Sequence, residues 1–561
     1  MKISLAGPSY VSGSVNAAAQ QCMNLVPEII EVPSEPVRMV LYGRPGVHPF
    51  VTMSPPKIRA LWAGGGRLFV VHGSAVSEVT ESGTVTPRTG TVAELPGDPD
   101  PAQIFSNGHQ LLVVSGGKVY CDNGTGVFPA LWQLSGTGNT TTASAFLDRL
   151  TGPNFDGSWT TKGMYVNGRQ YQVAGVVNTN RLILDPAPPN ESNVPWSIAA
   201  GDQVDGVTGG FLDGYFIVNR VPRPDLPQTG DPGRQFNISG LNDGTIWDPL
   251  MFGVKEGHSD YIRSILCDHE QLILFGTETI EVWQNIGAPD FPFQRIPGAF
   301  IHDGSAATYA PCSVGPTFCW LGGGDDGQTR AYQANGLQPV RISTHAQEWA
   351  WNAPTFSVRD AVSYSYQNAG HLHWVINFWE QQKTWVYDTT TSLWHERALW
   401  NAPGSNFLRY KAWFHVFIPE WGPGGRHIVG DPVTGKLYEM SSNFYDDDGI
   451  PIQCQRAFPH LINENQYAYH HRLEILAEMG ALSPGDPIPL IGLDWSDDHG
   501  HTWTTAAEGR LMPMAASGNY TKRAAFRRLG KARDRVYRVG INARTKVAFI
   551  DTFLEATQGF A

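Results

Sequence analysis

One unit recurs along this chain: an apolar strand, a turn containing glycine, and a second apolar strand. It reads first as Ile58-Arg-Ala-Leu-Trp62, then Gly64-Gly65-Gly66, then Arg67-Leu-Phe-Val-Val71. Further copies begin at Ile104, Phe211, Ile262, Thr317, His371 and Arg426. The starts lie about 40 to 55 residues apart, apart from one gap of about 100 between the second and third. A single hairpin cannot bury its apolar face. Repeated at this period, it is the signature of propeller blades, four-stranded sheets stacked around an axis. The expected fold is therefore all-β, a β-propeller of six or seven blades. The other arrangement open to the same strands is a set of unrelated hairpins in two or more sandwiches.

Composition agrees with short strands and tight turns. The 561 residues include 61 glycines and 40 prolines, and 11% are aromatic. Charged residues make up 16%, against about 25% in an average domain. This argues against long solvated helices, a coiled coil or disorder. Six scattered cysteines (Cys22, Cys121, Cys267, Cys312, Cys319 and Cys454) form no CxxC pair, so reduced thiols in a cytoplasm are expected rather than a disulfide framework or a zinc site. No apolar run reaches the roughly 18 residues of a membrane span. The opening Met-Lys-Ile-Ser-Leu-Ala-Gly-Pro is interrupted too early for an export signal. The formal charge of −12 gives no global attraction to phosphate.

The long gap has its own character. Residues 135–198 contain short alternating strands around Asn167-Gly168, a type I′ hairpin signal, and end near Pro186-Ala-Pro-Pro-Asn190. They are expected to form a small β-barrel inserted into a blade loop. After Tyr445-Asp-Asp-Asp-Gly449 the alternating runs lengthen, so residues 456–561 are expected to form a separate antiparallel β-sandwich. The propeller then occupies 58–134 and 199–455. Residues 1–57, with little periodicity, are expected to pack as an extended N-terminal arm.

The sharpest local motif is Ser496-Asp-Asp-His-Gly-His-Thr-Trp503, which fits the Asp-box pattern S-x-D-x-G-x-T-W of sialidases and other propellers. Its role is that of a structural turn. Gly500 permits a left-handed residue, Ser496 and Asp498 bond turn amides, and Trp503 folds back over the hairpin. A sialidase-like glycosidase acting on host surface glycans is the alternative function. It would need several boxes and an early Phe-Arg-Ile-Pro arginine segment, whereas the nearest match, Phe293-Gln-Arg-Ile-Pro297, has an extra residue and lies mid-chain. Asp446-Asp447-Asp448-Gly449 offers oxygen ligands without the spacing of a calcium loop and reads as a solvated turn. His371 and His373 share a strand face, and His470 and His471 point to opposite faces, with no acid or cysteine at ligand spacing. No catalytic group, metal site or cofactor is expected from these patterns.

One segment departs from the acidic whole. Residues 522–546 hold ten of the 40 lysines and arginines and one acid, Asp534. Lys522, Arg523, Arg527, Arg528, Arg533 and Arg535 are the candidate interaction residues, facing an acidic protein surface or nucleic-acid phosphate, or else forming a basic face screened by solvent. Protein is the favoured partner, because Phe526 and Tyr537 are the only aromatic residues among these cations that could stack on bases.

Several segments carry a resemblance. They are Gln20-Gln-Cys-Met-Asn-Leu-Val-Pro-Glu28 with Arg44-Pro-Gly46, Phe236-Asn-Ile-Ser-Gly-Leu-Asn-Asp-Gly-Thr-Ile-Trp247, Glu281-Val-Trp283, Ala331-Tyr-Gln-Ala-Asn-Gly336 with Arg341-Ile-Ser343, and Arg527-Arg-Leu-Gly-Lys-Ala-Arg-Asp-Arg-Val536. Together the chain resembles the tail hub or nozzle family of short-tailed bacteriophages, the packaged-DNA stabilisation proteins. The resemblance implies a structural virion protein of the tail, made in the host bacterial cytoplasm. It implies a homo-oligomeric ring, a hexamer, below the portal and its adaptor, through which DNA passes without sequence-specific binding. It also implies attachment sites for a needle, tailspike or fibres. An acidic charge balance suits a conduit in which DNA must not stick, an expectation that a channel wall lined by the 522–546 cations would overturn.

Overall fold

The computed structural model describes residues 2–3, 7–30, 38–220, 232–323, 327–462, 466–478, 488–504, 510–514 and 521–559. Among the described residues, seven sets of four antiparallel strands have first strands in order along the chain, at Ile58, Gln103, Gly209, Ile262, Cys312, Val362 and Phe414. These are the blades of the propeller. Residues group into two compact units, one of 1–73, 79–85 and 303–561 and one of 74–78 and 86–302.

In the first unit the last blade is completed from the far end of the sequence. Strands Phe414–Ile418, Arg426–Gly430 and Lys436–Ser441 are joined at the outer edge by Gly46–Thr52, with Ser441 opposite Gly46 and Lys436 opposite Thr52. Gly46 has to be glycine, since a Cβ there would lie 2.5 Å from the Asp446 carbonyl oxygen and 2.6 Å from that of Phe444. The preceding blade, Val362–Asn368, His371–Phe378, Lys383–Asp388 and Leu393–Arg397, encloses a core of Trp374, Trp385 and Trp394 with Trp351 from the short helix His345–Trp351.

The N-terminal 57 residues depart from the expected arm, because their strands are built into sheets. Ala19–Met23 pairs with Gln453–Ala457, which continues through Asp534–Asn542 and Leu490–Ser496 to Arg510–Pro513. Leu25–Ile30 and Arg38–Gly43 join Ala548–Gln558, Ala468–Ala477 and Ala524–Arg527 in a second sheet. Cys22, Leu25 and Leu41 lie in one apolar cluster with Leu473, Ile491, Phe526, Val539 and Phe549. The C-terminal region is thus a β-sandwich that incorporates N-terminal strands. Their sequence hid this: strands of five or six residues separated by short connections show too few alternations to register as periodic.

The second unit holds the sets beginning at Gln103, Gly209 and Ile262 and, between the first two of these, a closed six-stranded barrel. The barrel walls run from Leu131–Thr141 to Glu191–Gln203, longer than the expected 135–198, because these two strands pair from Leu131 opposite Gln203 to Thr140 opposite Glu191. Phe155, Trp159, Met164, Val173, Leu182 and Trp196 fill its interior. Asn167 and Gly168 have φ of 49° and 74°, the two positive values of a type I′ turn, between paired Val166 and Arg169.

Candidate interaction surface

The basic segment divides by burial. Arg523, Arg527, Arg528, Lys531 and Arg533 are exposed, and Lys522 is half-buried with its ammonium donating to the Met514 carbonyl at 3.2 Å. Among the described residues Ala524–Arg527 ends the path of its sheet, so the exposed cations lie along that edge. Arg527 stands directly opposite Arg472 in the register, and Glu474 reaches both Arg472 and, at 3.6 Å, Arg523. Like charges opposed across strands repel, and one carboxylate shared between two guanidiniums leaves this edge net positive. Tyr467 lies 4.6 Å from the Lys531 ammonium and 4.7 Å from the Arg533 guanidinium, and Tyr469 is exposed opposite Lys531. The aromatic residues interleaved with the cations therefore come from the neighbouring strand. Phe526 and Tyr537, named from sequence, are buried in the sandwich.

Arg535 is a correction to the expected interaction set. It is 2% exposed, and its guanidinium forks onto Asp497 at 2.6 and 2.7 Å and donates to the Leu529 carbonyl. Alternation along Asp534–Asn542 turns it into the sandwich. Arg538 is also occupied, bonding Asp494 at 3.0 Å and lying 4.1 Å above Trp503. Lys546 meets Glu478 at 3.0 Å and Arg544 meets Asp446 at 3.2 Å.

Asp497 belongs to the Asp box, whose turn is tightly bonded. Ser496 Oγ donates to Asp498 Oδ1 at 2.6 Å and accepts the Gly500 amide at 2.8 Å, while Asp498 accepts the Thr502 amide at 2.8 Å and its hydroxyl at 2.6 Å. These donors, first among them Ser496, hold the Asp498 carboxyl well below the usual carboxylate range. Gly500 has φ of 95° and packs beside Val15 and Ala19.

The acidic run is not a solvated turn. Each carboxylate has cationic partners: Asp446 has Arg544 and, at 3.1 Å, His48; Asp447 has Arg44 at 2.5 Å; Asp448 has Lys436 at 2.9 Å and Lys411 at 3.1 Å. Ligation of calcium would have to displace all of these. Arg44 is fully buried, and it also bonds Asn24 Oδ1 at 2.8 Å and the carbonyls of Pro45 and Ala398.

The histidines lie on the strand faces expected of them, but the expected lack of an acidic partner fails. His371 does have an acidic partner, Asp388 Oδ2 at 2.6 Å, a hydrogen bond that raises its pKa. His373, on the same face, is buried and pushed well below the ordinary histidine value. Both line a cavity of about 400 Å³ with Glu28, Tyr42, Arg44 and Lys546. His470 is buried against the Tyr537 hydroxyl at 2.9 Å, and His471 is exposed with Thr557 at 2.7 Å.

The sequence matches the family described as Bacteriophage P22 Gp10, beta-propeller, over residues 1–445 and the family described as Bacteriophage P22 Gp10, beta-sandwich, over 453–557. No curated protein matches it in sequence. Among solved structures, the N-terminal domain of Nup159 is similar at 9% identity, covering 76% of this chain and 99% of that one with a TM-score of 0.37. Sqt1 of Saccharomyces cerevisiae is similar at 9% identity, covering 70% and 98% with a TM-score of 0.35. The Pan2 WD40 domain of Neurospora crassa is similar at 9%, covering 71% and 96% with a TM-score of 0.27. With both the propeller and the sandwich matched, the chain belongs to the P22 Gp10 family of bacteriophage tail proteins, structural proteins and not enzymes.

Proposed function

We propose that this chain is the subunit of a homo-oligomeric ring, a hexamer, that continues the DNA channel of a phage tail below the portal and adaptor. The ring helps retain packaged DNA and presents sites to needle, tailspike or fibre proteins. The observation that carries the reading is the family match across both propeller and sandwich. Two physical features support it. The propeller's last blade is finished by Gly46–Thr52, which ties the N-terminal region into that sheet. The sandwich edge exposes Arg523, Arg527, Arg528, Lys531 and Arg533 beside two tyrosines, the chemistry of a contact with an acidic protein surface. DNA passes through without sequence-specific contact, in keeping with the net charge of −12. The protein acts in the virion tail after synthesis in the host cytoplasm.

Electron microscopy and native mass spectrometry of the purified protein, alone and mixed with adaptor rings, test this directly. Six-membered rings in either condition are the expected result. Monomers that fail to join the adaptor at any concentration would remove the ring assignment.

A further inference from the structure

We propose that His460, His499 and Asp534 form a binding site for a divalent metal ion of the zinc class, which fastens the Asp-box turn to the body of the sandwich. Asp534 is the one acid among the ten cations of residues 522–546. Among the described residues, however, the groups within ion-pair distance of it are two imidazoles. His460 Nδ1 lies 3.0 and 2.9 Å from the two carboxylate oxygens, and His499 Nδ1 lies 2.6 Å from Oδ2.

The opposite nitrogen of His460 fixes what its Nδ1 can be. Nε2 is 3.0 Å from the backbone carbonyl oxygen of Val15, which can only accept, so Nε2 carries a hydrogen. In a neutral imidazole that leaves a lone pair on Nδ1, aimed at a carboxylate that also has only lone pairs to offer. Two acceptors at 2.9 Å need a proton or a metal ion between them. A metal-bound histidine has this orientation, with one ring nitrogen donating to a backbone carbonyl and the other facing the ion.

The three ligand atoms all lie within 4.8 Å of one another. Bonds of about 2.0 to 2.2 Å in a tetrahedral zinc site set ligand atoms roughly 3.3 to 3.5 Å apart, so small rotations of the side chains admit an ion. His460 and Asp534 have side chains 7% and 8% exposed, whereas His499 is 48% exposed and has the most room to adjust. Its exposed side leaves a route for the ion and a fourth position for water. Two imidazoles and one carboxylate suit Zn²⁺, Co²⁺ or Ni²⁺, while Ca²⁺ and Mg²⁺ prefer oxygen throughout. The turn that carries His499 is braced by the bonds of Asp498 and by the Arg535–Asp497 pair, and His501 Nε2 meets Asn16 Oδ1 at 2.9 Å beyond it. An ion here therefore joins three distant stretches of sequence.

The test is titration of the chelator-stripped, full-length protein with Co²⁺, followed by its visible ligand-field absorption. The expected result is a band that saturates at one ion per chain and is displaced by Zn²⁺, with Zn²⁺ raising the melting temperature. His499→Asn, which keeps a residue tolerant of the left-handed backbone at φ 63°, and Asp534→Asn each lose the band or weaken binding at least tenfold. His471→Ala, an exposed histidine elsewhere, keeps it. Absence of a stoichiometric band in the wild type, or a band unchanged in His499→Asn, overturns the site and leaves the three side chains as a hydrogen-bonded cluster.

Discussion

Arg44 shows how a residue of the family-resembling segments works. It sits in the Arg44-Pro-Gly46 triplet, fully buried, and its guanidinium takes Asp447, Asn24 and two backbone carbonyls. Asn24, at φ 57°, in turn accepts the Ala398 amide and donates to the Ala398 and Gln453 carbonyls. Replacing Arg44 by Met strands a buried carboxylate, for which the cost is about 3 to 5 kcal/mol. Denaturant unfolding should show that loss, with Arg44→Met/Asp447→Leu recovering part of it. Histidines set the acid response. Burial pushes His415 down to about 3 and His470 to about 4, and lowers His373, His395 and His427. Unfolded histidines protonate near 6.5, so as pH falls from about 6.5 toward 4 the unfolded state takes up protons that the folded state refuses, and stability is lost. His371, raised by Asp388, acts the other way, its contribution fading as pH rises through its folded value. With His72, which burial also lowers, six lowered groups outweigh one raised group. Melting temperature should fall between pH 7 and 5, and fall less steeply in His415→Gln.

At the scale of elements, the strand Gly46–Thr52 is the decisive piece, because it completes a blade begun more than 360 residues later. Its first residue admits no side chain. Gly46→Val forces the strand off Asp446 and Phe444 at a cost of roughly 1 to 3 kcal/mol by overpacking. Hydrogen exchange should then accelerate along Lys436–Ser441, and unchanged protection there would show that the strand tolerates the displacement. Blade order was legible in the chain because each strand–glycine–strand unit carries its own alternation and turn. The N-terminal strands were not, since their partners lie near residues 440, 455 and 550 and nothing local announces such a pairing. The barrel was legible through Asn167-Gly168, while its outer strands were read short because Leu131-Trp132 looks like any blade strand.

For the whole molecule, an uneven charge distribution makes the proposed assembly sensitive to salt. The proposed ring, built through the Arg523 to Arg533 edge, should weaken as ionic strength rises and the screening length shrinks to a few ångströms near 1 M. Arg527→Glu with Arg533→Glu should abolish it while leaving the unfolding free energy within about 0.5 kcal/mol of the wild type, because both side chains are exposed. Sedimentation velocity against salt distinguishes this from a contact made by apolar surface.

Much of the architecture was written locally: a propeller of six or seven blades, a barrel in the long gap and a terminal sandwich follow from period, turn chemistry and alternation, which are local properties of the chain. The sequence by itself also placed the basic segment, without revealing which cations remain available. Only the tertiary structure decided that Arg535 turns inward to Asp497 while Arg527 and Arg533 face solvent, because that depends on the register of a strand against its neighbours. The His460, His499 and Asp534 cluster was likewise invisible in one dimension. Its ligands lie 35 to 74 residues apart, and only the folding of separate strands and a turn onto one sandwich brings their nitrogens and oxygens within reach.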